Sequence, residues 1–456
     1  MGWGPRRSWV LVAIALATCV ASLGSAPRRA QIHTLGSSDP LAPYWYYCPP
    51  GLVDTGTADA QANGELCSFW LLKSFPLGGL KEPRLNETAV PGLDVLPVWS
   101  RTRGLGVTVA VLDTGVDVTS TDLAPNLLPG WNAEDGGTDT RDPTGHGTLV
   151  ASIIAAAAGN GGYVGIAPEA KILPIKVMGD GWSDAAFDHA IEYALARGAR
   201  VLNVSLGGLN APIAGAAKAL ADARRAGALV VIAAGNDGVD LDVAGITEYP
   251  DGYGLPNTLS VADFTTRGTV APDSNFGARH VQIASLGASL WGDYPSNPAG
   301  GYLAGSSAAA ATVSGVAALL FAADPAATAA QVRRAIIVGA DTGVSSLHGK
   351  VEANGLLSAS SALAALADPD TTPPSRFSAG GPPFSFRLQR STKVRFSWSA
   401  ARDTELEGYR LTIDGRTTIV EPQARTTVVP LRAGVHHWSI VAYDLSGNRT
   451  SASRGR

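Results

Sequence analysis

The middle of the chain, residues 96–367, alternates short apolar runs with amphipathic or alanine-rich segments. The apolar runs have the length and composition of buried strands, and they lie at 107–112, 172–177, 201–204, 229–233, 258–262 and 281–284. Segments with helical periodicity, such as 185–197 and 213–226, separate several of them. Strands that alternate with helices at this spacing predict an α/β fold, with a parallel sheet flanked by helices on both faces. In such sheets the functional groups lie beyond the carboxyl ends of the strands.

A linker and a smaller second domain are predicted after this region. Residues 368–382 are rich in proline and short polar residues, which end the preceding helical pattern. Residues 383–456 then contain alternating apolar and polar runs with an Asp414-Gly415 turn signal. This pattern is typical of a small all-β sandwich domain.

The N-terminus has the pattern of an export signal. Two arginines precede an apolar run at 9–20 and a group of small residues, so residues 1–26 are predicted to be a signal peptide. The run is shorter than the roughly 20 residues of a membrane-spanning helix. We therefore expect a secreted protein with no membrane span after cleavage. Lipidation at Cys19 is an alternative, but a threonine directly before that cysteine fits a lipoprotein signal badly.

Residues 27–95 are predicted to be an irregular N-terminal extension or a pro-region, because they are rich in proline, glycine and aromatic residues and show no period. Cys48 and Cys67 form an even pair in an exported chain, so we expect a disulfide between them. Two cysteines without a nearby histidine are too few ligands for a zinc site. Whether this segment is removed or retained stays open.

Composition and charge exclude some functions. The net charge is −4, and the sequence contains no block of lysine and arginine residues, so a nucleic-acid partner is not expected. A hydrophobic share of 45% and a charged share of 16% fit a well-packed globular protein, which we expect to be a monomer.

One aspartate stands at the end of a predicted strand. Asp113 directly follows the run at 107–112 and precedes Thr114-Gly115, which places its carboxylate at the carboxyl edge of the sheet. Asp117 and Asp122 are nearby alternatives, but they fall after the strand, where a role in a solvated turn is the simpler explanation.

One histidine has a comparable setting. His146 stands between Gly145 and Gly147, immediately before an apolar helical run at 149–158. Glycines on both sides let a substrate or a neighbouring backbone approach closely. None of the other six histidines has such surroundings.

Two further residues complete a possible hydrolytic site. Ser307 leads into an alanine-rich helix, where a serine is either an N-cap or a nucleophile whose developing anion is stabilised by the helix dipole. Ser306 beside it is the alternative nucleophile. Asn236 follows the run at 229–233, and its amide could donate a hydrogen bond to an oxyanion.

These residues carry a family resemblance. The chain order Asp113, His146, Ser307 is the order of the subtilisin triad. This order and the segments 164–170, 203–208 and 274–277 are similar to those of the subtilisin-like serine proteases, peptidase family S8. Residues 96–367 therefore resemble this family. The segments 408–411 and 442–448 resemble bacterial fibronectin type III-like modules.

The resemblance implies a serine endopeptidase that cuts polypeptides through an acyl-enzyme on Ser307. His146 would act as the base, Asp113 would orient it, and Asn236 would bind the oxyanion. The chemistry would need no cofactor or metal. Structural calcium is common in the family, but the sequence does not identify ligands for it.

The resemblance also implies substrate-binding residues. Ser205, Leu206 and Gly207 correspond to the family's strand that pairs with the substrate backbone. Asp237 and Glu248 fall near the pocket for the side chain that precedes the cleaved bond, which suggests a preference for basic residues there. Solvated carboxylates at the rim of a loop are the alternative explanation.

The nucleophile helix departs from the family pattern Gly-Thr-Ser-Met-Ala-x-Pro-His. Ser306, Ala308, Ala311 and Thr312 replace its threonine, methionine, proline and histidine. No triad atom is lost, but the geometry of the helix is put in question. A catalytically impaired binding protein is therefore kept as an alternative function. A dedicated processing protease, which would resemble mycosins in its disulfide-tied N-terminal extension, is a second alternative.

Overall fold

The computed structural model describes residues 84–85 and 93–454, apart from short gaps at 161, 180–183, 289, 296, 369, 404–405, 421, 423 and 445. Its helices are α1 (Val95–Trp99), α2 (His146–Ala155), α3 (Asp184–Ala196), α4 (Ala216–Ala226), α5 (Ser306–Ala323), α6 (Ala329–Val338) and α7 (Ala359–Ala367). Short 3₁₀ turns occur at Asp251–Tyr253 and Ser345–Leu347. The predicted signal peptide and the predicted Cys48–Cys67 disulfide lie outside the described residues.

A seven-stranded sheet forms the centre of the larger domain, and every neighbouring pair in it is parallel. Its strands are β2 (Thr108–Asp113), β3 (Trp131–Asn132), β5 (Lys171–Lys176), β6 (Val201–Val204), β8 (Leu229–Ala233), β10 (Thr258–Phe264) and β11 (Ile283–Leu286). Their order is β11-β10-β8-β6-β2-β5-β3. This arrangement confirms the predicted α/β class and the predicted parallel sheet.

Both faces of this sheet are buried, which explains why most residues of its strands are apolar. On β2, Val109 and Val111 pack into the core that contains α2, α5 and α6. Ala110 and Leu112 point to the opposite face and pack into the core formed with α3 and α4. Alternate residues of one strand therefore serve two separate cores.

Short strand pairs surround the central sheet. They are β1 (Arg84–Leu85) with β4 (Tyr163–Val164), β7 (Gly208–Leu209) with β9 (Glu248–Tyr249), and β12 (Leu290–Tyr294) with β13 (Asn297–Leu303). None of these pairs was predicted from the sequence, and four of the six strands have only two residues, too few for a periodic signal.

The smaller domain contains two sheets. One has the order β19-β16-β14-β22 and the other β15-β20-β17-β18, with β21 paired to β20. The strands are β14 (Ser378–Gly380), β15 (Ser385–Leu388), β16 (Thr392–Trp398), β17 (Leu406–Ile413), β18 (Arg416–Val420), β19 (Thr426–Leu431), β20 (Gly434–Asp444), β21 (Arg449–Ser451) and β22 (Ser453–Arg454). Phe396 and Trp398 of one sheet share a core with Tyr409 and Trp438 of the other. The predicted small β domain is confirmed, whereas its fibronectin type III-like character stays a prediction.

The helix α5 is mostly apolar, and nearly all of its residues are buried inside the larger domain. In the described part of the chain it is the one helix that is long and apolar enough to cross a membrane. However, 89% of this helix is buried within the protein. A helix with this composition fits a core position. The replaced residues Ala308, Ala311 and Thr312 all lie within its uninterrupted helical span.

Candidate active site

An aspartate and a histidine form a close pair at the carboxyl edge of the sheet. Asp113 is the last residue of β2 and is 2% exposed, whereas His146 is the first residue of α2. Asp113 Oδ1 lies 2.7 Å from His146 Nδ1, a hydrogen-bonding distance. Such a bond fixes the ring orientation and leaves Nε2 on the far side of the imidazole.

A glycine allows α2 to start this close to β2. A Cβ atom added to Gly147 would lie 2.1 Å from the carbonyl oxygen of Gly115 and 3.0 Å from Cβ of Asp113. No side chain fits in that space, since real Cβ atoms essentially never approach other atoms so closely. The Gly147 N–H also donates to Thr114 Oγ1 at 3.1 Å. The glycine after the histidine is therefore required by packing.

The start of α5 is joined to the end of β6. Ser307 Oγ donates to the carbonyl oxygen of Ser205 at 3.3 Å, and Ser205 Oγ donates to the carbonyl oxygen of Ser307 at 3.1 Å. Asn203 Nδ2 donates to Ser205 Oγ at 2.8 Å and orients it. Among the described residues no hydrogen bond joins Ser307 to His146.

Strand register brings these groups to the same edge. Leu112 of β2 pairs with Val204 of β6, so Asp113 and Ser205 directly follow paired positions on adjacent strands. His146 is bonded to the first of these residues and Ser307 to the second. The His146 imidazole and the Ser307 hydroxyl are therefore both tied to the end of the β2–β6 pair.

Asn236 lies on the next strand end along this edge, three residues after β8. Its Oδ1 accepts hydrogen bonds from the N–H and from Oγ of Ser306, each at 2.9 Å. Because a backbone N–H can only donate, these bonds identify which side-chain atom is the oxygen. The amide NH2 group is then left as a donor on a residue that is exposed.

A family model described as the subtilase family, peptidase S8, matches residues 104–358, more than half of the chain. The chain belongs to the subtilase family. Thermitase from Thermoactinomyces vulgaris is 34% identical over 262 residues, which are 56% of this chain and 90% of thermitase. The major intracellular serine protease of Bacillus subtilis is 33% identical over 231 residues, 49% of this chain and 71% of the relative.

A solved structure shows the same likeness. A protease from Pseudoalteromonas arctica is 29% identical to this subtilase and superposes on it with a TM-score of 0.56. The superposed region is 63% of this chain and 99% of the Pseudoalteromonas chain. Subtilase homologues of this chain are serine proteases. The predicted family and the predicted subtilisin-like fold are both confirmed.

One residue that supports the candidate site, the buried Asp142, was not predicted from the sequence. Its carboxylate accepts hydrogen bonds from Thr114 Oγ1 at 2.8 Å, from the Gly145 N–H at 2.9 Å, and from the N–H and hydroxyl of Thr148 at 2.9 and 2.7 Å. Burial raises the pKa of this carboxyl, but the bonds from Thr148, Thr114 and Gly145 outweigh burial and hold the pKa below its usual value. Asp142 therefore stays ionised and fixes the turn that leads into His146. The spacing Asp142-x-x-Gly145 was its only signal in the sequence.

The imidazole of His146 is 31% exposed, so part of the ring reaches solvent. Burial lowers the pKa of His146. The charge of Asp113 and its hydrogen bond, together with the charge of Asp142, more than offset burial, so that the pKa lies above the ordinary histidine value. An imidazole held in this way can take a proton from a hydroxyl and stabilise the charge that results.

The predicted substrate-binding residues directly follow β6, and the predicted specificity residues lie after β8 and at the start of β9. Ser205 is buried, Leu206 is half-buried and Gly207 is exposed. Asp237 is exposed, and its carboxylate accepts a hydrogen bond from Asn275 Nδ2 at 3.1 Å. Glu248 begins β9 and is 3% exposed, so it is not a solvated rim residue.

Three carboxylates in the described part of the chain could together hold a cation, and all three follow the larger domain in sequence. Asp370, Asp403 and Asp444 offer oxygen atoms that lie within 4.8 Å of one another, where the linker meets the small domain. Asn448 Nδ2 donates to Asp444 at 2.9 Å and to the Asp370 carbonyl at 2.8 Å. Oxygen ligands of this kind suit calcium.

Proposed function

We propose that this subtilase is a serine endopeptidase that hydrolyses peptide bonds through an acyl-enzyme on Ser307. The supporting observation is the Asp113–His146 pair at 2.7 Å, held at the strand ends where Ser307 is bonded to Ser205. A catalytic hydrogen bond between nucleophile and base is often long without substrate and tightens only in the complex. The resting bond from Ser307 to Ser205 is compatible with that behaviour.

In this mechanism His146 Nε2 accepts the proton of Ser307 Oγ as the oxygen attacks the peptide carbonyl. Asp113 holds Nδ1 protonated and stabilises the imidazolium that forms. The imidazolium then gives its proton to the leaving amine, and the amine departs from the tetrahedral intermediate. Water attacks the acyl-enzyme by the same proton route and restores Ser307.

Two donors stabilise the oxyanion. The first turn of α5 leaves the Ser307 N–H without an acceptor inside the helix, and the helix dipole adds positive potential there. The amide NH2 of Asn236 is the second donor, because its oxygen is already engaged by Ser306. Donors fixed before the reaction stabilise the transition state more than the substrate.

Replacing Asn236 with alanine should lower kcat by about 10²- to 10³-fold and change KM little, a loss known from an oxyanion asparagine of subtilisin itself. Steady-state kinetics on one peptide substrate measures both constants. Ser306→Ala is the matched control, since it removes one bond to Asn236 Oδ1 and keeps the backbone bond. An equal loss of kcat in both variants would refute a specific role for the Asn236 amide.

The pH dependence of kcat/KM should report the His146 base. The base must be neutral, so kcat/KM rises with pH, and its midpoint should lie above about 6.5 because the pKa of His146 is raised. His189, an exposed histidine on α3, offers a control, and His189→Gln should leave the midpoint unchanged. A midpoint at or below the ordinary histidine value in the wild type would contradict the Asp113–His146 coupling.

We further propose that the protein is secreted as a monomer. The pattern of residues 1–26 supports export, whereas family membership does not decide location, because the Bacillus subtilis relative is named as intracellular. Residues 27–95 would then follow the signal as an extension or pro-region. Sequencing the N-terminus of the secreted protein shows which segments are removed.

Digestion of denatured casein tests the endopeptidase proposal. The purified protein should generate new N-termini throughout the casein sequence, and mass spectrometry of the products locates them. Release of residues from the casein ends alone would argue for an exopeptidase. No cleavage by correctly folded, matured protein would favour a binding protein on a subtilase fold.

A further inference from the structure

A buried carboxylate lies next to the active site without a partner. Glu248 is 3% exposed and begins β9, which pairs with β7 directly after the substrate-binding segment. Its Oε2 is buried and has no hydrogen-bond partner among the described residues. A buried acceptor with no donor is costly, and a buried charge without a counter-charge costs still more. A ligand that donates a hydrogen bond to Oε2 would remove this cost.

The carboxylate of Glu248 lies between the two backbone segments that flank the nucleophile. A Cβ atom added to Gly207 would lie 2.6 Å from Glu248 Oε1, and one added to Gly235 would lie 3.1 Å from Oε2. Gly207 comes two residues after Ser205, and Gly235 directly precedes Asn236. The absence of side chains at both glycines lets the Glu248 carboxylate pack directly against these two backbone segments.

The charges around Glu248 are acidic. Burial, followed by the charges of Asp237 and Asp251, raises the pKa of Glu248 to about 8. No lysine, arginine or histidine among the described residues forms an ion pair with it. The charge of Arg333 acts on Asp251, but this guanidinium already forms an ion pair with Glu352, with 3.3 Å between Nη2 and Oε2. Two further carboxylates and no paired cation make this a site for a positive charge.

We propose that Glu248 binds the side-chain cation of an arginine or lysine that directly precedes the cleaved bond. This specificity rests on the proposed endopeptidase function, because the carbonyl of that residue must lie between Ser307 Oγ and the Asn236 amide. Its side chain then enters the gap between Gly207 and Gly235. The exposed Asp237 adds negative potential on the same side of the cleft.

Two matched peptides test the proposal, one with arginine before the cleaved bond and one with citrulline, which has nearly the same shape but no charge. Wild type should prefer the arginine peptide by roughly 10- to 100-fold in kcat/KM, the range of a charge-assisted hydrogen bond. Glu248→Gln should reduce the ratio nearly to one. Glu169→Gln, a change of an exposed glutamate, is the matched control and should keep the ratio.

The ratio should also depend on pH. Glu248 must be ionised to bind a cation, so the arginine preference should grow between about pH 6 and pH 9 in wild type and stay flat in Glu248→Gln. Asp237 and Asp251 also face this carboxyl, and Asp237→Asn should shift the midpoint of this growth to lower pH because it removes a repelling charge. The ionisation of His146 does not change the ratio of the two kcat/KM values, because both peptides are cut with the same base.

Binding to Ser307→Ala separates this proposal from the protease proposal. Calorimetry with peptides that end in arginine or citrulline needs no turnover, and the arginine peptide should bind roughly tenfold more tightly, with the difference lost in Ser307→Ala/Glu248→Gln. Equal binding of both peptides would overturn the Glu248 proposal even if casein is cut. Selective binding without any casein cleavage would support the pocket and overturn the endopeptidase proposal.

Discussion

Ser307→Ala should reduce kcat for a peptide substrate about 10⁶-fold, the loss already known for removal of the triad serine in subtilisin. The substitution removes the oxygen that becomes acylated and also its hydrogen bond to the Ser205 carbonyl. The remaining contacts at the start of α5 involve backbone atoms and Ser306, so the helix should persist. Single-turnover and steady-state assays with a fluorogenic peptide measure the loss, and circular dichroism checks the fold.

Ser306→Ala is the control for this prediction. Ser306 Oγ donates to Asn236 Oδ1 and is wholly buried, so it is placed to support the oxyanion donor. The alanine variant should retain most of the wild-type kcat. The opposite result, an inactive Ser306→Ala protein beside an active Ser307→Ala protein, would show that the neighbouring serine is the nucleophile.

Asp113→Asn should lower kcat about 10⁴-fold with little change in KM, as the same change does in another Ser-His-Asp protease. The structural reason is the bond between Asp113 Oδ1 and His146 Nδ1 at 2.7 Å. An asparagine can offer its NH2 group instead, which favours the wrong tautomer of the imidazole. Loss of the negative charge should also shift the midpoint of the pH profile downwards, because the charge of Asp113 helps to raise the pKa of His146.

Asp117→Asn is the matched control for that variant. Asp117 follows the strand by four residues, and its carboxylate accepts hydrogen bonds from Thr119 in a local turn. Its neutralisation should leave kcat and the pH midpoint nearly unchanged. If both variants lost activity alike, the effect would be one of general charge at the cleft, and Asp113 would lose its assigned role.

The sheet could be predicted from the sequence because its strands are buried on both faces. An uninterrupted apolar run such as β2 is a strong signal, and Asp113 stands out as the first charged residue after it. The predicted helix at 185–197 is found at Asp184–Ala196 for a similar reason, since its apolar face has a clear period. The order of the strands across the sheet, in contrast, could not be predicted from the sequence, because it depends on packing between segments that are distant in the chain.

Contacts that depend on tertiary structure could not be predicted from the sequence. The bonds from Ser306 to Asn236 join residues 70 positions apart, and nothing local to either residue indicates them. The burial of Glu248 is set by its position behind Gly207 and Gly235, so sequence position alone could not separate it from a solvated carboxylate. The role of Asp142 likewise emerges only from the six donors that surround its carboxylate.

Labelling with a fluorophosphonate probe tests the central claim most directly, because the probe reacts covalently with a serine activated by its base and oxyanion donors. The folded wild-type protein should carry one adduct, which fragmentation of the peptide around the start of α5 should place on Ser307. Ser307→Ala should remain unlabelled, and Ser306→Ala should be labelled. An unlabelled wild-type protein, or an adduct on Ser306, would contradict the assignment of Ser307 as the nucleophile.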